Sequence, residues 1–171
     1  LEYERRNARV LAEGGEPVQR TDLAFNVGDL VWSADSERVY FTGDELEDDE
    51  RNDELTADIY VVSREAGDPQ ELTSNPGSEG APAISPDGNR LAFLQTRARG
   101  EETDLRIVDL AANGTFRGIP RNLTSDWDQT PGTPTWTPNG DAVRFLAGVG
   151  GDRHLFEVTA TGDLIRQLTT G

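Results

Sequence analysis

The stretch Gly80 to Phe93, GAPAISPDGNRLAF, decides how this chain is read, because it occurs three times. Its equivalents are Gly28 to Phe41, GDLVWSADSERVYF, and Gly132 to Phe145, GTPTWTPNGDAVRF. Trp32, Ile84 and Trp136 stand 52 residues apart, as do Asp35, Asp87 and Asn139, and again Phe41, Phe93 and Phe145. In the central copy Pro86 fixes φ at the first central turn position, Asp87 can bond its own backbone and Gly88 supplies a positive φ. Ser85-Pro86-Asp87-Gly88 therefore joins two strands in a tight hairpin. After the turn Leu91 and Phe93 point to one side and Ala92 and Leu94 to the other. Both sides are apolar, which predicts a sheet packed between two other sheets.

Each hairpin is followed by a β-rich string and a closing Leu-Thr. Asp58 to Ser63 (DIYVVS) leads to Gln70 to Thr73 (QELT), Asp104 to Asp109 (DLRIVD) to Arg121 to Thr124 (RNLT), and His154 to Val158 (HLFEV) to Arg166 to Thr169 (RQLT). The closers lie 51 and then 45 residues apart, so length varies only in the later loops of each unit. A period of about 40–50 residues with about four strands per unit predicts an all-β fold. The expected architecture is a β-propeller segment of about three four-stranded blades plus a partial N-terminal blade. The units are 26–76, which carries an acidic insertion at 44–58, then 77–125 and 126–171. Residues 1–25 are expected to belong to a partial preceding blade, with Ala8 to Leu11 and Pro17 to Thr21 as strands.

The 171 residues are one domain's worth of chain. They contain no apolar run of membrane-spanning length and no signal-peptide pattern, since Leu1 to Arg9 is charged and polar. Met is absent, which points to an N-terminal part outside this chain, and the absence of Cys excludes disulfides and thiolate metal sites. The net charge of −16 argues against nucleic acid as a partner. Half of that charge lies between Asp44 and Asp58, where nine acids face the single Arg51. All sixteen basic residues are Arg.

At Pro82-x-x-Ser85-Pro86-Asp87-Gly88-x-x-Leu91-Ala92-Phe93, with Asp104-Leu105-x-Ile107-Val108-Asp109 and Arg121-x-Leu123-Thr124 after it, the chain resembles WD40-like (PD40) repeats. Such repeats form the TolB-type periplasmic propellers and the propeller domain of prolyl-oligopeptidase-family (S9) serine peptidases. The string Arg121 to Gly140, RNLTSDWDQTPGTPTWTPNG, is more similar to the acylaminoacyl-peptidase and dipeptidyl-peptidase-like branch. The first unit departs from the motif with Ala34 and Ser36 for Pro and Gly, and the third with Asn139 for Asp. The resemblance implies a propeller that caps a C-terminal α/β-hydrolase domain of the same protein. That domain carries the Ser-Asp-His triad and lies outside this chain, while the propeller restricts access to short peptide substrates. A TolB-like, non-enzymatic propeller for protein–protein binding is the alternative.

No catalytic residue, metal site or cofactor is expected within the chain itself. Pro76 to Gly80 (PGSEG) misses the Gly-x-Ser-x-Gly spacing of a nucleophile elbow, so Ser78 reads as an inter-blade loop residue. His154, the sole histidine, starts a predicted strand and reads as structural. The acidic insertion lacks the glycine and ligand spacing of a calcium loop and reads as solvated. The resemblance to dipeptidyl peptidases, whose propeller glutamates grip the substrate's amino terminus, makes Glu101 and Glu102 candidate substrate-binding residues. Adjacent carboxylates suit an ammonium group. Trp127, in the Ser125 to Thr130 loop between Asp126 and Asp128, is a third candidate, read either as a plug under the loop or as part of a surface facing the central cavity. The recurring Trp32, Trp136, Phe41, Phe93, Phe145, Tyr60 and Phe156 are expected to fill the space between blades. An isolated segment of this kind exposes blade faces and edge strands, which predicts that it either self-associates as a homo-oligomer or is poorly stable.

Overall fold

The computed structural model describes residues 8–9, 18–19, 26–44, 56–65, 67–74 and 76–170. Most of the acidic insertion, 45–55, lies outside the described residues. Two short strands, β1 (Ala8–Arg9) and β2 (Val18–Gln19), pair antiparallel. Three four-stranded antiparallel sheets follow, each with its strands in chain order. The first contains β3 (Asn26–Trp32), β4 (Arg38–Asp44), β5 (Ala57–Ser63) and β6 (Gln70–Glu71). The second contains β7 (Ser78–Ile84), β8 (Arg90–Thr96), β9 (Thr103–Leu110) and β10 (Phe116–Asn122). The third contains β11 (Thr135–Trp136), β12 (Ala142–Val149), β13 (Asp152–Thr159) and β14 (Ile165–Gln167).

The hairpins between the first two strands of each sheet share one turn. The amide of Gly88 donates to Ser85 O, Ser36 to Ser33 O and Gly140 to Thr137 O, each at 2.9 Å. The last residue of the turn is left-handed in all three: Gly88 has φ 74°, Gly140 has φ 73° and Ser36 has φ 59°. Ser36 thus adopts the conformation at a cost that the glycines avoid. Asp87 caps its turn by accepting from Ser85 Oγ at 2.5 Å and from the Asn89 amide at 3.1 Å, and Asp35 does the same for Ser33 and Glu37.

The alternation along β8 becomes a division between two cores. Leu91 and Phe93 join Tyr40, Ile59 and Val61 of the first sheet. Ala92, with Leu105, Ile107 and Leu123, joins Trp136, Val143, Phe145, Phe156 and Val158 of the third. The second sheet is therefore sandwiched, and burying each of its large apolar side chains stabilises the fold by about 1.5–3 kcal/mol. Polar staples accompany these cores. Arg38 Nη2 donates to Ala112 O at 3.0 Å and Tyr40 OH to Gly114 O at 2.9 Å, from the first sheet to the second. Arg90 Nη2 donates to Gly140 O, and Trp136 Nε1 to Ala83 O, each at 2.9 Å, between the second and third.

Two expectations need correction. Trp32 does not fill a junction: it is 41% exposed, with Leu30 exposed beside it, whereas its repeat partner Trp136 is buried against the preceding inner strand. Ser78 is not in a loop, because it opens β7 and pairs with Thr96.

The Leu-Thr closers also acquire a physical reason. Thr73 Oγ1 accepts the Ile59 amide at 2.8 Å, Thr124 Oγ1 the Leu105 amide at 2.9 Å, and Thr169 Oγ1 the Leu155 amide at 2.9 Å. Each threonine thus ties the end of its unit to the third strand of its own sheet. Thr124 is buried, so Thr124→Ala leaves the buried Leu105 amide without an acceptor. This is expected to cost about 2 kcal/mol in urea unfolding, with Thr124→Ser recovering most of it.

The turn carboxylates make stability depend on pH. The hydroxyl of Ser85 bonded to Asp87, and that of Ser33 bonded to Asp35, hold both carboxyls below the usual range. Glu157 is also held low, by hydrogen bonds from Arg144 and then Arg166. A depressed folded-state pKa means that the unfolded chain binds protons first, so this stabilisation is present above the ordinary carboxylate range. It is lost as the pH falls through that range toward the folded pKa values. Urea midpoints measured from about pH 6 to about pH 3 are expected to fall, and to fall less steeply in Asp87→Asn.

Candidate functional site

Strands in chain order with antiparallel pairing send successive connections to opposite ends of each sheet. The tight hairpins after the first strands and the turns between third and fourth strands share one end, where Arg38 reaches the Ala112 turn and Arg90 the Gly140 turn. The other end collects the longer connections. These are the link from β4 to β5, the 97–102 loop between β8 and β9, and the 123–134 segment between sheets.

Strand order puts the connections that carry the three candidate residues at this same end of the sheets. Glu101 and Glu102 are exposed in the 97–102 loop, whose turn is closed by the Glu101 amide on Ala98 O at 3.0 Å. The same loop carries Arg97, which pairs with Asp104 at 3.5 Å. Trp127 lies in the 123–134 segment, its amide bonded to Thr124 O at 3.0 Å. Its ring meets Phe145 edge-on at 5.3 Å and Phe156 at 5.0 Å, and it packs on the core between the second and third sheets. Asp126 and Asp128 beside it are exposed. β4 ends at Asp44 and β5 begins at Ala57 at this end, and the sequence that joins them is strongly acidic. Carboxylates of this kind can pair a cationic group.

His154 is the third residue of β13 and half-buried, opposite Ala147. It occupies the repeat position of Asp58 and Asp104, whose carboxylates accept from the Thr73 and Thr124 hydroxyls. Among the described residues no hydrogen bond joins His154 to a serine or an acid.

Sequence reasoning passed over Glu79. It is 1% exposed on the inner strand β7, one residue in from the loop end. Gln95 Nε2 donates to its Oε1 at 2.5 Å, while its Oε2 and the nearby buried Nε of Arg106 have no partner among the described residues. Burial lowers the pKa of Arg106, and the charges of Asp104 and Glu79 oppose that shift. The only signal in the sequence was a charged residue at an alternate position of a strand. The Pro76 to Gly80 string, read as a loop, concealed it.

At the opposite end a polar cleft of about 360 Å³ opens between the first two sheets. It is lined by Asp35, Arg38, Asp87, Asn89 and Arg117 among others. Its charges are already engaged: Asp35 and Asp87 cap turns, Arg38 holds Ala112 O, and Arg117 pairs with Asp109 at 3.6 Å.

No family model matches the chain. Among solved structures, a puromycin-hydrolysing peptidase of Mycobacterium tuberculosis superposes with a TM-score of 0.71 at 20% identity, over 97% of this chain and 27% of that one. TolB from Acinetobacter baumannii superposes with a TM-score of 0.69 at 20% identity, over 95% of this chain and 37% of that one. Both likenesses concern fold. By sequence, dipeptidyl-peptidase 5 of Porphyromonas gingivalis is 25% identical over 159 residues, covering 92% of this chain. Dipeptidyl-peptidase 5 of Aspergillus fumigatus is 30% identical over 115 residues, 61% of this chain. The chain is a β-propeller segment related to dipeptidyl-peptidase 5. It spans 23% and 16% of the length of those two dipeptidyl-peptidase 5 relatives.

Proposed function

We propose that this segment is the substrate-gating part of the propeller of a serine peptidase that cleaves short peptides. In this reading it is acylaminoacyl- or dipeptidyl-peptidase-like, and the catalytic α/β-hydrolase domain lies outside this chain. The observation that carries the reading is the similarity to dipeptidyl-peptidase 5 along nearly the whole segment. Its units are 26–76, 77–125 and 126–171, with 1–25 contributing to a preceding blade. The loop end faces the reaction chamber. There Glu101 and Glu102 pair the ammonium group of an incoming peptide, and the Trp127 loop forms part of the wall.

The whole protein treated with a fluorophosphonate probe is expected to label at a serine outside residues 1–171 and to release amino-terminal fragments from short chromogenic peptides. Glu101→Gln with Glu102→Gln is expected to raise KM about tenfold for peptides with a free amino terminus, leaving N-acylated ones unaffected. A whole protein in which no serine labels sinks the peptidase reading. It leaves a TolB-like, non-enzymatic binding propeller, whose fold the chain shares equally.

A further inference from the structure

The chain contains two Asn-Gly dipeptides, Asn113-Gly114 and Asn139-Gly140, each in a tight turn at the hairpin end of the sheets. An asparagine before glycine is open to attack on its side-chain carbonyl carbon by the next backbone nitrogen, because glycine has no Cβ to hinder the approach. Both asparagines are exposed. Both glycine amides are restrained alike, Gly114 N donating to Ala111 O at 2.8 Å and Gly140 N to Thr137 O at 2.9 Å. The dipeptide and its nucleophile are thus the same at both turns.

The surroundings of the two side-chain amides differ. Asn113 Oδ1 accepts from the Thr115 amide at 3.2 Å and from Thr115 Oγ1 at 2.8 Å. Two donors on this oxygen draw charge away from Cγ and stabilise the negative oxygen that forms when a nucleophile adds there. Asn139 Oδ1 accepts from the Asp141 amide at 3.3 Å, a longer and weaker bond. Its Nδ2 donates to Asp141 Oδ2 at 2.6 Å. A carboxylate in that place opposes a second negative charge on the neighbouring oxygen, and it cannot donate the proton that a departing amide nitrogen must gain.

We infer that Asn113 is a site of spontaneous succinimide formation and that Asn139 is protected from it. The Gly114 nitrogen yields its proton to hydroxide and bonds to Asn113 Cγ, and the Cγ–Nδ2 bond breaks as ammonia leaves with a proton from water. Water then opens the ring. Entry at Cγ gives aspartate, and entry at the main-chain carbonyl carbon of residue 113 gives isoaspartate, whose main chain is one methylene longer. That methylene falls where the first two sheets are fastened, with Tyr40 OH donating to Gly114 O at 2.9 Å and Arg38 Nη2 to Ala112 O at 3.0 Å. The packing is close enough that a Cβ at Gly114 would stand 2.6 Å from Arg38 Cδ and 2.9 Å from the Tyr40 hydroxyl oxygen. Isoaspartate at 113 therefore loosens the first junction and leaves the second as it was. None of this chemistry depends on a peptidase activity.

The test ages the whole protein in mildly alkaline buffer, folded and in urea, and follows both turns by peptide mass and by isoaspartate-specific enzymatic methylation. In the folded protein Asn113 is expected to convert about tenfold faster than Asn139, and in urea the two are expected to convert at similar rates. Thr115→Val, which removes one donor from Asn113 Oδ1 and keeps the other, is expected to slow Asn113 about tenfold, while Thr115→Ser keeps both donors and the parent rate. Asp141→Ala is expected to speed Asn139 and leave Asn113 unchanged. Asn139 converting as fast as Asn113 in the folded protein, or an Asn113 rate indifferent to Thr115→Val, overturns the assignment. The consequence is read on the isoaspartyl form, separated chromatographically. Its amides around Ala112 and Gly114 are expected to exchange with solvent about tenfold faster than in the unaged protein. Unchanged exchange there overturns the coupling to the first junction. Asn113→Gln, whose longer side chain does not close a five-membered ring, is expected to age without either change.

Discussion

Phe93→Ala is expected to lower folding stability by about 4 kcal/mol, the largest effect of any single substitution considered. Phe93 is 1% exposed and lies between the first and second sheets, against Tyr40, Ile59 and Val61 on one side of the junction and Leu91 and Val108 on the other. Its ring also stacks on Phe116 at 6.0 Å, so truncation removes an aromatic pair along with the buried area. Strands from both sheets line the cavity, and neither can close it without dragging its partners along their ladders. Phe93→Leu keeps most of the volume and is expected to cost about 1 kcal/mol. Urea unfolding followed by tryptophan fluorescence reads both. An unchanged midpoint in Phe93→Ala shows that the sheets do not bear on one another here.

Trp127→Ala is expected to cost about 3 kcal/mol, at the lower end of the range for a lost aromatic side chain because the residue is only half-buried. The indole makes edge contacts with both Phe145 and Phe156, which themselves stack at 6.1 Å. Removing it opens the end of the core that joins the second and third sheets. Trp127→Phe retains the edge contact and is expected to lose about 1 kcal/mol or less. The pair of variants also separates two roles. A packing role predicts that stability tracks the size of the side chain at 127. A wall of the reaction chamber predicts that KM in the whole protein changes even for Trp127→Phe, which barely moves the melting curve.

Much of the fold was legible in the sequence because a strand alternates strictly between two faces. The alternation of Leu91 and Phe93 with Ala92 is enough to place β8 between two cores, and the fixed spacing of the hairpins aligns three such sheets. The same alternation cannot say what covers the outermost faces. Trp32 and Trp136 hold one repeat position, yet one is exposed and the other buried, because Trp136 has a preceding inner strand whose Ala83 carbonyl receives its Nε1–H. The candidate site was legible only in part. The turns explain why Glu101 and Glu102 are exposed, and the geometry explains why they share an end with Trp127. Glu79 was hidden because a buried carboxylate held by one glutamine has no periodic signature.

The threonine that ends each unit bears on how such repeats change length. An extended fourth strand would meet the third rung by rung, and any insertion would slide the whole register. Here β6 is two residues long and β14 three, and the seven-residue β10 shifts register between Arg117 and Arg121, while in all three units one threonine hydroxyl takes a third-strand amide. A point attachment of this kind tolerates drift in whatever precedes it, as the spacings of 51 and 45 between Thr73, Thr124 and Thr169 show. The outer strand of each unit can therefore gain or lose residues while the inner hairpins keep their constant step, so that length varies without disturbing how the sheets stack.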